Sequence, residues 1–184
     1  KSARSARTTV NVAVQTVFPY PKSVTMSAGL VLNFTGLDNN NFVFSIPTDT
    51  SQSVDSLTGI ATFSNTVLFE GLFLTDTFVK DTSQRQRFIL TNDKVDTTSM
   101  IVEVTSGTIT EKYLQATDIT KIDSTSKVFF LEESEYQIPE ILFGDGVIGK
   151  ALTNGDVVTV RYTTSSGNGA NGLKVFENIG TYRD

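Results

Sequence analysis

Residues 133–172 read ESEYQIPEILFGDGVIGKALTNGDVVTVRYTTSSGNGANG, and this stretch joins the densest turn signals of the chain to a well-marked strand. Asn154-Gly155 supplies two residues that tolerate positive φ, and the apolar segment Val157–Tyr162 follows directly. Such a turn beside alternating apolar residues is the short-range signature of a β-hairpin. Gly144-Asp145-Gly146 is a second turn, which follows the apolar residues that end at Phe143. The stretch therefore predicts two hairpins.

Outward from this stretch, apolar residues alternate with polar ones along most of the chain. The two-residue period is found in segment 10–18, in segments 30–34 and 42–46 on either side of GLDNNN, and in segments 100–104 and 108–114. Period two indicates half-buried strands, and the short connections favour antiparallel neighbours. We expect ten or more strands and little helix. The predicted fold is mainly β, with antiparallel strands in a sandwich or barrel-like arrangement.

Three segments depart from this pattern. Val67–Leu74 is apolar on both faces apart from Glu70, which predicts a central strand or one covered on both sides. Residues 48–58 are polar, and Asp55–Gly59 is expected to form a turn. Ala116–Lys121 has at most a weak helical pattern.

The polar, charged segment Lys80–Arg87 (KDTSQRQR) is the best internal boundary. It divides the chain into an N-terminal β subdomain, residues 1–86, and a C-terminal β subdomain, residues 87–184, which carries the two predicted hairpins. One continuous domain is the alternative.

The residue inventory excludes several classes of enzyme. The chain of 184 residues contains neither cysteine nor histidine. A Ser-His-Asp hydrolase, a Cys-His protease and a cysteine or histidine zinc site are therefore ruled out. Catalysis would have to depend on carboxylates, lysine, tyrosine or a metal held by the substrate.

Charge argues against nucleic acid as a partner. The net charge is −5 and the pI is about 4.8, whereas phosphate backbones require a basic face. The first residues are the exception, since Lys1, Arg4 and Arg7 precede the first acidic residue, Asp38. They form a candidate interaction arm; a solvated end left by truncation of a longer chain is the alternative.

Apolar runs stay well short of the roughly 18 residues that a membrane helix needs, and no secretory leader opens the sequence. We expect a soluble segment with no membrane partner and no small-molecule substrate.

Gly167–Gly172 matches the GxGxxG pattern of dinucleotide loops and follows a strand. That chemistry requires a helix at the loop and an acidic residue about twenty positions later. The sequence continues with LKVF and ends at Asp184. A loop without a nucleotide is the favoured interpretation, and no cofactor is expected.

The acidic and aromatic residues offer three further chemical interpretations. Two of Glu132, Glu133, Glu135, Glu140 and Asp145 could supply the carboxylate pair of a glycosidase, although no partner that would separate their pKa values is evident. Residues 38–41, or Asp145 with Asp156, could ligate calcium, but the EF-hand spacing is missing. Some of the thirteen phenylalanines could form an exposed ligand platform, whereas most are expected in the core.

Several stretches in a fixed order resemble a known family. They are Arg7–Val12 (RTTVNV), Arg87–Asn92 (RFILTN), Val95–Thr98 (VDTT), Ala116–Thr120 (ATDIT), Phe129–Glu133 (FFLEE), Ile141–Lys150 (ILFGDGVIGK) and Ala170–Gly172 (ANG). Together they resemble the baseplate wedge protein of contractile-tailed bacteriophages, a relative of the baseplate J-like proteins. FGDGVIGK, followed by NGD and a strand, is the most specific part.

The resemblance implies a structural component of the virion tail baseplate, assembled in the host cytoplasm and without catalytic residues. Family members associate with other copies of themselves and with other wedge proteins around the tail hub. This chain is similar to a portion of the longer family protein. The residues carried over form a structural turn motif: Phe143, Gly144, Asp145, Gly146, Gly149, Lys150, Asn154 and Gly155. A carbohydrate-binding or adhesin β module, or a carboxylate glycosidase, are the alternatives.

Overall fold

A computed structural model of the chain describes residues 4–35, 41–83, 86–164 and 176–184. The protein is mainly β, with 55% strand and 2% helix, and its antiparallel sheets form a half-barrel and a nearly closed barrel. The predicted fold class is therefore confirmed.

Fifteen strands lie in the described residues, in agreement with the expected ten or more. They are β1 (Arg7–Gln15), β2 (Ser23–Met26), β3 (Gly29–Thr35), β4 (Asn41–Ile46), β5 (Thr50–Ser53), β6 (Ile60–Glu70), β7 (Phe73–Val79), β8 (Phe88–Ile89), β9 (Ile101–Ser106), β10 (Ile109–Gln115), β11 (Val128–Glu133), β12 (Pro139–Phe143), β13 (Val157–Thr163), β14 (Glu177–Asn178) and β15 (Tyr182–Arg183). The weakly helical segment 116–121 contains a short 3₁₀ helix, Ile119–Lys121.

The chain divides into two compact units. Unit 1 comprises the described residues from Leu74 to Tyr162, and unit 2 comprises those up to Phe73 together with those from Thr163 onward. This division differs from the predicted ranges 1–86 and 87–184. The end of the chain returns to unit 2 because β14 pairs with β3 and β15 pairs with β2.

Unit 1 contains a seven-stranded sheet in the order β7-β13-β9-β10-β11-β12-β8. β9 and β10 form an antiparallel hairpin around Gly107, whereas β10 and β11 are parallel and are joined by the segment with the 3₁₀ helix. Inward-facing side chains of these strands form one core: Phe88, Leu90, Val95, Val102, Val104, Tyr113, Phe129, Ile141, Val158, Val160 and Tyr162.

Neither Gly144-Asp145-Gly146 nor Asn154-Gly155 closes a β-hairpin, so the prediction of two hairpins in residues 133–172 is wrong. β12, which precedes both turns, lies between β11 and β8, and β13, which follows them, lies between β7 and β9. Turn residues reverse the chain locally, but strand pairing follows from which buried faces meet. Here Val158 and Val160 of β13 lie opposite Val104 and Val102 of β9.

Unit 2 contains a five-stranded sheet, β1-β6-β4-β3-β14, and a three-stranded sheet, β15-β2-β5. Gly29–Thr35 of β3 pairs antiparallel with Asn41–Ile46 of β4 and confirms the predicted strand pair. Residues 36–40 of the GLDNNN turn lie outside the described residues. The polar segment 48–58 contains β5, which the sequence did not predict, and the expected turn at Asp55–Gly59. The core consists of Val12, Val24, Met26, Val31, Leu32, Phe44, Ile46, Ala61, Phe63 and Leu68.

The apolar run Val67–Leu74 is two strands, not one. β6 ends at Glu70, and Gly71 has φ +91° before β7 begins at Phe73. A Cβ at Gly71 would lie 2.8 Å from the carbonyl oxygen of Thr164, so a side chain there would collide with main chain. The prediction of a central strand holds for β6, which lies between β1 and β4.

Candidate functional site

The loop from Gly144 to Lys150, here called the glycine loop, holds most of the predicted turn motif. Oδ1 of Asp145 accepts hydrogen bonds from the amides of Val147 and Ile148, both at 2.9 Å, and these bonds keep the pKa of the Asp145 carboxyl below its usual value. The amide of Gly146 donates to the carbonyl of Gly149 at 3.0 Å. Both glycines have positive φ, +89° and +85°, which side chains rarely adopt.

Close approach of main chain explains the first glycine of the loop. A Cβ at Gly144 would lie 2.2–2.6 Å from three main-chain atoms of Gly149, so only glycine fits. The preceding residue, Phe143, makes edge-to-face contacts with Phe88 and Tyr113, with ring centroids 5.4 and 5.6 Å apart. These contacts anchor the start of the loop to the unit 1 core.

The end of the loop is held by main-chain bonds and by charge. Amides of Gly149 and Lys150 donate to the carbonyls of Asp123 and Ser126, at 2.9 and 2.8 Å. The ammonium groups of Lys127 and Lys150 contact the two carboxylate oxygens of Glu111, at 2.7 and 2.8 Å. Both hydrogen bonds lower the pKa of Glu111, and the bond from Lys127 has the larger effect. The bond to Glu111 likewise raises the pKa of Lys150.

Asn154 and Gly155 form a second structural turn. Oδ1 of Asn154 accepts from the amide of Thr82 at 3.1 Å, and Gly155, with φ +86°, donates its amide to the carbonyl of Lys80 at 2.8 Å. The turn therefore fastens β13 to the segment that follows β7.

Asp156, the next residue and one of the candidate calcium ligands, carries a buried carboxylate. It accepts hydrogen bonds from the Ser106 hydroxyl at 2.5 Å and from the Thr153 amide and hydroxyl, each at 2.8 Å. Burial raises the pKa of this carboxyl, but the three hydrogen bonds outweigh burial and leave the pKa below its usual value. In the folded protein, these three donors take the place of the water molecules that would bind the Asp156 carboxylate in the unfolded chain.

The candidate basic arm is only partly described. Lys1 lies outside the described residues, Arg4 is exposed, and Arg7 begins β1. The Arg7 guanidinium lies 4.8 Å from the ring centroid of Phe69, its partner residue on β6. Arg7 therefore has a packing role in unit 2.

The proposed carboxylate pair is divided between different environments. Glu140 is buried and accepts two hydrogen bonds from the Arg87 guanidinium, at 2.9 and 2.6 Å. Glu135 lies 3.9 Å from the same guanidinium, while Glu132 and Glu133 are exposed at the end of β11. The Arg87 charge therefore compensates the acidic cluster.

The structure gives no support to the calcium-site and nucleotide-loop interpretations. Within the described ranges, no group of three or more acidic residues is arranged to hold a metal. Gly167–Gly172 and residues 38–40 lie outside those ranges. In the described part of the chain, no helix is long and apolar enough to cross a membrane.

Phe18 and Tyr20, two of the aromatic residues considered for an exposed ligand platform, form an exposed pair in the structure. Phe18 and Tyr20 are 79% and 36% exposed, and their rings meet edge to face with centroids 5.6 Å apart. Tyr20 lies over Gly59, where a Cβ would be 2.4 Å from its ring. A surface cavity of about 290 Å³ next to the pair is lined in part by Val17, Pro19 and Arg183. The flanking prolines of Phe18-Pro19-Tyr20-Pro21 were the available signal, because they end the strand before its aromatic residues reach the core.

No protein-family model matches the sequence, and no curated protein matches it.

Proposed function

We propose that the chain is a structural, non-catalytic part of the tail baseplate wedge of a contractile-tailed bacteriophage. In this role it associates with other copies of itself and with other wedge proteins around the tail hub. The protein is assembled in the host cytoplasm and remains in the virion baseplate.

The observation that carries the proposal is the ordered set of motifs, of which FGDGVIGK followed by NGD is the most specific. The geometry of these residues supports an architectural role. Asp145 is used by amides of its own loop, Lys150 by Glu111, and Asn154 by Thr82. These polar groups therefore stabilise the fold through hydrogen bonds within the chain.

Mechanical demands on a baseplate also agree with the architecture. A wedge component must transmit force between neighbours without unfolding locally. The two β units contain no cysteine and each has its own core, so the stability of each unit does not depend on the redox state of its surroundings.

The test is assembly. The protein that carries this chain is co-expressed with the other tail proteins of its phage, and the mass of the purified product is measured by multi-angle light scattering. We expect a complex that contains several copies of the chain. Masses that remain those of the separate proteins would contradict the proposal.

One observation favours a second candidate, a carbohydrate-binding or adhesin module. The exposed Phe18–Tyr20 pair beside a cavity has the form of a stacking platform. A glycan array tests it by comparing the wild-type chain with Phe18→Ser. The control is Tyr136→Ser, which alters a separate exposed aromatic residue. Binding lost only in Phe18→Ser would support this candidate, and an array without any signal would remove it.

A further inference from the structure

The outer edge of β1 has the geometry of an open pairing site. Among the described residues, β1 has a sheet neighbour on one side only, β6. With nine residues it is longer than the other described edge strands; β7 has seven residues, β5 has four, and β8, β14 and β15 have two each. An edge strand presents unpaired N–H and C=O groups to which another strand can add.

The hydrogen bonds at the two ends of β1 show which main-chain groups face outward. The carbonyl of Ala6 accepts from the amide of Glu70 at 2.8 Å, and the amide of Thr16 donates to the carbonyl of Gly59 at 2.9 Å. Even-numbered residues therefore direct their main-chain groups toward β6, because these directions alternate along an antiparallel strand.

This alternation continues through the middle of β1. Val10 lies opposite Thr66 and Val12 opposite Phe63, so the extra residue of the bulge belongs to β6. Asn65 in that bulge has φ +54°, and its amide donates to Oδ1 of Asn11 at 2.8 Å. Odd-numbered residues thus direct N–H and C=O away from β6, and the four from Thr9 onward are exposed: Thr9, Asn11, Ala13 and Gln15.

Natural proteins protect such edges with lysine, proline or very short strands. β1 contains no lysine, proline or acidic residue, and its one charge, Arg7, stands at the end of the strand. The outward bulge that would twist the edge away is also missing, since the irregularity is in β6.

We propose that β1 pairs antiparallel with β1 of a second copy about a two-fold axis at Asn11, joining two five-stranded sheets into one. In this register Thr9 lies opposite Ala13, and Asn11 lies opposite Asn11 of the second copy, so no like charges meet. These three pairs give about six hydrogen bonds between the copies, two for each pair. The inference rests on the proposed function, for which it names the surface of self-association.

A strand pair of this length buries less than the roughly 1,200 Å² of a stable interface. The contact is therefore weak in isolation and becomes effective when other wedge contacts hold the copies close together. Self-association should accordingly depend on concentration.

Sedimentation equilibrium of the 184-residue chain, from about 0.01 to 1 mM, tests the inference. We expect a monomer–dimer equilibrium within this range. Thr9→Lys with Ala13→Lys places lysines opposite each other at both pairs, whereas Thr9→Lys with Ala13→Glu places lysine opposite glutamate. The dissociation constant should be about tenfold larger for the first variant than for the second. Equal constants, or a wild-type chain that stays monomeric, would overturn the inference.

Cysteine crosslinking provides a second measurement that tolerates a weak dimer, because the natural chain has no cysteine. Chains with Thr9→Cys mixed with chains with Ala13→Cys should form a disulfide on oxidation, since hydrogen-bonded partners have Cα atoms about 5.5 Å apart. Thr9→Cys alone is the control, because its two copies would be about 13 Å apart. Equal crosslinking in both samples would refute the register.

The outcomes separate this inference from the proposed function. A monomeric chain whose parent protein still enters the baseplate overturns the β1 pairing alone. A chain that dimerises through β1 while its parent protein joins no tail complex overturns the baseplate role alone.

Discussion

The glycine loop of unit 1 and the β1 strand of unit 2 use their polar groups in opposite directions. In the loop, the Asp145 carboxylate and the amides of Gly146 and Gly149 bond to groups within the same unit. Along β1, Thr9, Asn11, Ala13 and Gln15 direct their main-chain groups away from β6, the only sheet neighbour of β1 among the described residues. The polar groups of the loop bond within unit 1, whereas the outward main-chain groups of β1 face away from its sheet.

This difference shows that a segment with a distinctive sequence motif need not be the segment whose surface is available to a partner. Glycine and aspartate mark the loop because the chain must reverse tightly there. β1 looks ordinary in sequence because an open edge uses main chain, which every residue supplies. The contrast can be tested with substitutions whose effects on stability and on association should differ.

Gly144→Ala should have the largest effect on stability. Its Cβ would lie 2.2–2.6 Å from main-chain atoms of Gly149, so the loop would have to move as a whole. We expect a loss of about 3 kcal/mol in the free energy of unfolding, measured by urea denaturation with a probe for each unit, since the two units need not unfold together.

Gly155→Ala is the matched control. Its φ of +86° disfavours a side chain, but no atom lies within 4 Å of its Cβ position. The expected loss is about 1 kcal/mol, from the left-handed backbone alone. Equal losses in the two variants would show that main-chain crowding at Gly144 is not what closes the loop.

These glycines show how much of the fold was visible in the sequence. Alternation of apolar residues identified most strands, and Gly-Asp-Gly and Asn-Gly identified real turns with positive φ at Gly146 and Gly155. The pairing of β13 with β9 could not be predicted from the turns, because it depends on faces that are far apart in sequence. Local signals gave the elements, and non-local packing decided their neighbours.

The candidate sites show the same limit. The Glu111 partners Lys127 and Lys150 come from separate segments, and the role of Asp156 depends on Ser106. Most phenylalanines were expected in the core, yet Phe18 is 79% exposed. Exposure of an aromatic residue beside prolines depends on where the next strand lies, which periodicity does not report.

Asp156→Asn should have the second largest effect. The buried carboxylate accepts three hydrogen bonds, and an amide would turn an NH₂ group toward at least one of these donors. We expect a loss of about 2 kcal/mol in unfolding free energy. Asp145→Asn is the control, because one amide oxygen can still accept from Val147 and Ile148. A harmless Asp156→Asn would mean that the inward bonds of unit 1 contribute little.

Glu111→Gln should have the smallest effect, and it should be confined to acid. The pKa of Glu111 in the folded protein lies below its ordinary value of 4.5 because Lys127 and Lys150 bind the carboxylate. Its contribution to stability is therefore complete above about pH 4.5 and is lost as the pH falls through the lower, folded-state pKa. Urea denaturation between neutral and acidic pH should show a shallower loss of stability in Glu111→Gln than in wild type.

Glu132→Gln is the matched control, because it removes the same charge from an exposed position on β11 and leaves both lysine contacts of Glu111 in place. It should retain the acid-dependent loss of stability that the Glu111 contacts cause. Glu111→Gln should leave the dissociation constant of β1 pairing unchanged at neutral pH, because Glu111 belongs to unit 1 and β1 to unit 2. A change in that constant would mean that the closed loop and the open strand are coupled, and the contrast between them would fail.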